Sequence, residues 1–160
     1  MRSKIVLCTH CSNHLQESYG MTKLVKSWQY FHPEIDYVVF GDKEINQTFN
    51  DNPGTDFNTI HPFLCNSLLD QYKAVIHMDA DSMLTSRIDA LIDKINTDFY
   101  DIIGVRNNND LNKAGKDNPI HESSPVDQYL NCGLVAVMNR DVYIDWENQN
   151  LEIGKYMPFQ

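Results

Sequence analysis

A nearly continuous apolar run over residues 72–78 stops abruptly at Asp79-Ala80-Asp81, and this junction limits the possible folds more than any other stretch. Ala74, Val75, Ile76 and Met78 leave the run without a polar face. A strand of that kind is buried on both sides, as in parallel sheets covered by helices on each face. Residues 4–9, 36–40, 100–105 and 132–138 read as further strands. Between the first two, residues 15–31 carry Met21, Leu24, Val25, Trp28 and Phe31 at spacings of three and four, one face of a helix. His32-Pro33 ends it, because the residue before a proline is pushed out of helical geometry.

Further helices are expected over residues 62–71, with Pro62 in the first turn, and after Ser86, a suitable N-cap for Ile88, Leu91, Ile92 and Ile95. Residues 140–147 also suit a helix, whereas residues 46–59 and 106–126 read as loops. Strands alternating with helices predict an α/β sandwich with a mostly parallel central sheet, in a single domain spanning residues 1–160.

The charge pattern narrows the ligand classes. Thirteen basic and 22 acidic residues give a net charge of −9, which repels nucleic acid and anionic membranes. An anionic ligand then needs local help, and a bound divalent cation supplies it. The tryptophans and tyrosines show no array spaced for stacking on bases, and Trp28 belongs to the apolar helix face. Four cysteines, Cys8, Cys11, Cys65 and Cys132, are too few and too irregular for a secreted disulfide framework. The apolar run at the start is too short for a signal peptide, and no stretch is long enough for a transmembrane helix. A soluble cytoplasmic protein is the expectation.

Asp79 and Asp81 fall where the apolar strand runs out, and open α/β sheets bind ligands beyond the carboxyl ends of their strands. In extended chain, residues two apart point the same way, roughly 7 Å apart. Two such carboxylates can share Mn²⁺ or Mg²⁺, with phosphate oxygens completing the shell. Ala80 between them is small enough to admit another group. The plainer alternative is that the pair caps the following turn, although two like charges at a sheet end are unfavourable without a cation or donors.

This junction resembles the Asp-x-Asp signature of GT-A fold glycosyltransferases, particularly the family 8-like group of glycogenin and the bacterial galactosyltransferases. Residues 4–9, 36–42, 72–91 and 129–139 are similar to that family's segments in the same order. The resemblance implies a GT-A, Rossmann-like sandwich. It implies Asp79 and Asp81 as metal ligands, and Thr9 and His10 with Asp79 and Ala80 around the nucleotide. It places Asn131, Cys132 and Gly133 along the donor-sugar pocket. The implied activity is transfer of a sugar from a nucleotide diphosphate donor, best guessed as a UDP-sugar, to a carbohydrate or glycoconjugate acceptor, with retention favoured. The family's third metal ligand and larger acceptor-binding half are expected to be reduced or missing in this chain, leaving a larger assembly or oligomer as one way to complete the site. The basic residue such enzymes carry before the metal strand has His61 as its nearest substitute.

Other candidates carry alternatives. Asp127 is the carboxylate nearest Asn131 and could face the sugar as a catalytic group, or be a turn residue. Cys8 and Cys11 have the spacing of half a zinc site, but no second half matches; Cys8 reads better as strand core. His10 and His14 follow the first strand, His77 reads as a satisfied core histidine, and His121 falls in the long polar segment. Two rival functions remain. A haloacid-dehalogenase-type phosphatase would use Asp79 as its nucleophile, though its motif belongs on a first strand and its lysine would have to be Lys113 or Lys116. A nucleotide-sugar-binding subunit would bind without transferring.

Overall fold

The computed structural model describes residues 4–57, 59–106 and 130–156. Its centre is a five-stranded sheet of order β2-β1-β3-β5-β4, with β1 at Ile5–His10, β2 at Asp36–Phe40, β3 at Ala74–Met78, β4 at Ile102–Arg106 and β5 at Leu130–Val137. β1 pairs in parallel with both β2 and β3. β5 is antiparallel to β3 and to β4, so β4 again points the same way as β3. Only β5 is reversed, and the sheet is mostly parallel in strand direction, as expected.

Strand alternation sorts the side chains onto two covered faces. Leu7, Ile76 and Ala136 pack with Met21, Leu24 and Trp28 of α1 (Tyr19–Phe31) and Ile95 of α4 (Asp89–Asn96). Val6, Cys8, Val75, Val135 and Val137 pack on the opposite side. Their partners are Ile45 of α2 (Asp42–Asp51), Leu64 and Cys65 of α3 (His61–Cys65) and Tyr143 of α5 (Arg140–Tyr156). Every residue of β3 is buried, which accounts for its unbroken apolar character.

Several boundaries differ from expectation. The first helix begins at Tyr19, where the Ser18 hydroxyl accepts from the Met21 N–H; a 3-10 turn at Asn13–Leu15 precedes it. The segment expected as a loop from residue 46 is helical to Asp51. There Ile45 is buried and Phe49 packs on the core, while the Glu44 carboxylate accepts from the Gly41 N–H at 3.2 Å. The helix expected over residues 62–71 is α3 followed by a 3-10 turn at Asn66–Asp70.

Ser86 does not cap α4. The Ile88 N–H at that helix's start donates to His32 Nε2 at 2.8 Å, from 56 residues away. With Nε2 accepting, the ring proton sits on Nδ1, 3.1 Å from the Glu34 carboxylate. Among the described residues, no helix is long and apolar enough to cross a membrane.

Candidate functional site

β3 ends at Met78, and the chain turns at once: the Ser82 N–H donates to the Asp79 carbonyl at 3.0 Å. Asp79, Ala80 and Asp81 therefore sit on a turn at the carboxyl end of the sheet, not on extended chain as the sequence suggested. α1 holds this turn from one side. A Cβ placed on Gly20 would lie 3.3 Å from the Asp81 Cα, a tight contact that a residue without a side chain avoids. Seven residues along the same helix, the Ser27 hydroxyl accepts from the Leu84 N–H at 3.0 Å. β5 holds the turn from the other side, where the Asp79 N–H donates to the Gly133 carbonyl at 3.1 Å.

Asp79 and Asp81 are both exposed. Partial withdrawal from water, and then the nearby charge of Asp81, push the Asp79 carboxyl above its ordinary value, with His10 pulling the other way. Asp79 is thus disfavoured as an anion where it stands, which a cation would reverse. Among the described residues, no group of three or more His, Cys, Asp or Glu is arranged to hold a metal. Two carboxylates with the remaining positions left to a ligand's oxygens is nevertheless how magnesium-type ions bind at phosphate-handling sites. The donor set fits such an ion.

The structure separates Thr9 from His10, because neighbouring strand residues face opposite sides. His10 points to the side of Cys8 and His77 and reaches the surroundings of Asp79. Its Nε2 lies 3.1 Å from the Phe57 carbonyl, and its ring packs at 4.7 Å from the Phe57 ring. Burial lowers its pKa, against opposing pulls from the Phe57 carbonyl and Asp79. Thr9 is 2% exposed, and its hydroxyl has no hydrogen-bond partner among the described residues. The same alternation parts Cys8 from Cys11, whose side chains enter the cores on opposite faces, so they do not form half of a zinc site.

A row of rings runs inward from His10. His77 lies between His10 and His61, stacked at centroid distances of 5.4 and 4.5 Å, and Trp146 of α5 meets His61 edge-on at 4.3 Å. His77 is a core histidine, as expected. His61 is not the basic substitute that the sequence suggested. Burial first, and then His77 and His10, hold its pKa well below the ordinary value, so it is neutral. Sequence reasoning did not anticipate the row, because its members come from β1, α3, β3 and α5.

Gly133, and with it the start of β5, reaches the motif. The register between β4 and β5 jumps there: Gly104 pairs with Val135, but Val105 pairs with Asn131. Residues 132–134 of β5 bulge beside the Asp79 N–H, and bulges recur next to active sites because they redirect the chain. Asn131 and Cys132 lie on this part of the strand by their backbone. Asp127, His121, Lys113 and Lys116 fall outside the described residues.

Neither a family model nor a curated protein sequence matches the chain. Solved structures do. The apo structure of the bifunctional glycosyltransferase WbbM aligns over 97% of this chain and 34% of its own length, with a TM-score of 0.56 and 12% identity. The galactosyltransferase LgtC, solved in complex with donor and acceptor sugar analogs, aligns over 93% of this chain and 69% of its own, with a TM-score of 0.54 and 14% identity. The chain spans about a third of the length of WbbM. Identities this low speak for architecture alone: the chain has the GT-A-like α/β fold of these glycosyltransferases.

Proposed function

We propose that this chain binds a nucleotide diphosphate sugar through Mn²⁺ or Mg²⁺ held by Asp79 and Asp81, and transfers the sugar to a carbohydrate or glycoconjugate acceptor. The observation that carries the reading is the Asp79–Asp81 turn, pinned between Gly20 and Gly133 at the carboxyl end of β3, with an Asp79 carboxyl disfavoured as an anion. The fold shared with WbbM and LgtC supports it, and LgtC's complex with sugar analogs supports sugars as ligands.

Asp79 and Asp81 would hold the cation, which when bound supplies positive charge against the charge growing on a leaving diphosphate. The chain's own residues do the rest. Gly20 and Ser27 of α1 hold the backbone at Asp81 and Leu84, which steadies the turn that carries both acids. His10 and Phe57 offer a ring surface beside Asp79. The bulge of β5 brings the Asn131-Cys132-Gly133 backbone to the same edge, the position proposed for the donor sugar. UDP is the nucleotide, and retention of anomeric configuration the outcome, that the family 8-like resemblance favours. Asp127 is proposed as a group on the sugar side.

Titration calorimetry of UDP with and without Mn²⁺ tests the site, and release of UDP from a UDP-sugar with acceptor tests the chemistry. Mn²⁺-dependent binding that Asp81→Ala abolishes is expected. Binding that survives Asp81→Ala would overturn the assignment. Binding without transfer would identify a nucleotide-sugar-binding subunit, and a phosphorylated Asp79 would indicate the phosphatase chemistry instead.

A further inference from the structure

On the core face opposite α1, β1 and α3 bring two thiols together. Cys8 Sγ and Cys65 Sγ are 3.0 Å apart, and the two residues are 0% and 1% exposed. The residues are 57 positions apart in the chain, so local geometry does not explain the meeting. Bonded sulfurs sit about 2.05 Å apart, so joining this pair requires movement of only about 1 Å. Burial, and then the neighbouring thiol, hold Cys8 protonated. Tyr143 closes the pocket from α5, 0% exposed, its phenol pushed toward the neutral form by burial and by both cysteines. Cys11 is also buried but belongs to the other core face, out of this pair's company.

We propose that Cys8 and Cys65 form an oxidisable pair that closes to an internal disulfide, tying β1 to α3. With a peroxide as oxidant, one thiol is oxidised to a sulfenic acid and releases water. The other sulfur then attacks that sulfur and displaces a second water. Two thiols and one hydrogen peroxide give one disulfide and two waters. A dithiol reductant reverses the step by exchange. The bond ties the strand that ends in Thr9 and His10 to the helix that begins at His61, so it stiffens the flank of the proposed nucleotide site. The inference does not depend on that function.

The test is to expose the native protein to hydrogen peroxide, quench it, unfold it, and alkylate its thiols. The expected intact mass is lower by two hydrogens, with half of the four cysteines alkylated, and reductant restores all of them. Cys11→Ser should still form the bond, whereas Cys65→Ser should not. Melting temperature should rise by several degrees on oxidation and fall back on reduction, as closure of a long loop requires. The proposal is overturned if all four thiols survive treatment, if the bond joins Cys11 or Cys132, or if sulfinic acid accumulates instead. A peptide map of the oxidised wild-type protein, which locates the bonded and the alkylated cysteines, decides between these outcomes should a variant fail to fold.

Discussion

The two ends of the sheet treat charge in opposite ways. At the end where β1 and β2 begin, charges are matched: Arg87 Nη2 lies 2.8 Å from Glu34 and its Nε 2.9 Å from Asp89, Lys73 meets Asp98 at 2.8 Å, and Lys4 reaches Asp36 at 3.7 Å. Arg87 also donates to the Phe31 carbonyl at the end of α1. Glu34 is drawn down to about 2, by a backbone hydrogen bond first and then by Arg87 and His32. At the end where β3 stops, Asp79 is pushed the other way, by lost water and by a second carboxylate. Both ends carry acidic residues, yet among the described residues only one end pairs them with cationic side chains. Charge left unresolved on a rigidly held turn is what a site for an absent partner looks like, whereas matched charge serves the fold.

The largest test of this contrast is replacement of both carboxylates. Asp79→Asn with Asp81→Asn should weaken Mn²⁺-dependent UDP binding roughly 100-fold or more, about 2.8 kcal/mol, by calorimetry. The metal-free protein should stay folded; if it unfolded instead, the pair would be structural. Next in size is Arg87→Ala, which strips partners from Glu34, Asp89 and the end of α1. Its melting temperature should fall by a few degrees, with UDP binding unchanged.

Acid should separate the histidine row from the ion pairs. His61 has a folded pKa well below its ordinary 6.5, so the unfolded chain takes up the proton first. Its contribution to stability is present above 6.5 and is lost as pH falls below it. Glu34 contributes above 4.5 and loses that contribution as pH falls toward about 2. Denaturant midpoints measured against pH should therefore decline in two stages. His61→Phe should flatten the first, and Arg87→Ala the second. The smallest effect expected is a slight rise in the melting temperature of metal-free Asp79→Asn, since it removes a repulsion; a clear fall would mean that Asp79 is already satisfied.

Much of this was legible in the sequence, for reasons that differ by element. The face of α1 announced itself through the spacing of Met21, Leu24 and Trp28, all of them buried. The site-bearing turn announced itself because an apolar run met two acids. What was lost depended on distant partners. α2 reads as loop from residue 46 onward, and becomes helix through the anchors Ile45 and Phe49. The cap of α4 was sought at Ser86 and is provided by His32, which no local pattern reveals. An apolar strand looks the same in either direction, so the reversal of β5 was invisible. The bulge beside Asp79 did leave a signal, a glycine inside an apolar strand at position 133, of the kind that often marks such irregularities. The extended geometry assumed for Asp79 and Asp81 failed for want of any sign that the chain turns one residue after β3.

The reversal of β5 reaches beyond the sheet itself. Because β5 enters where β4 leaves, Arg106 and Leu130 are paired neighbours at the same edge as Asp79. The chain thus leaves β4 and re-enters β5 at the end of the sheet that carries the carboxylate turn, so a change of register there would be felt at Gly133 and, through its carbonyl, at the Asp79 N–H.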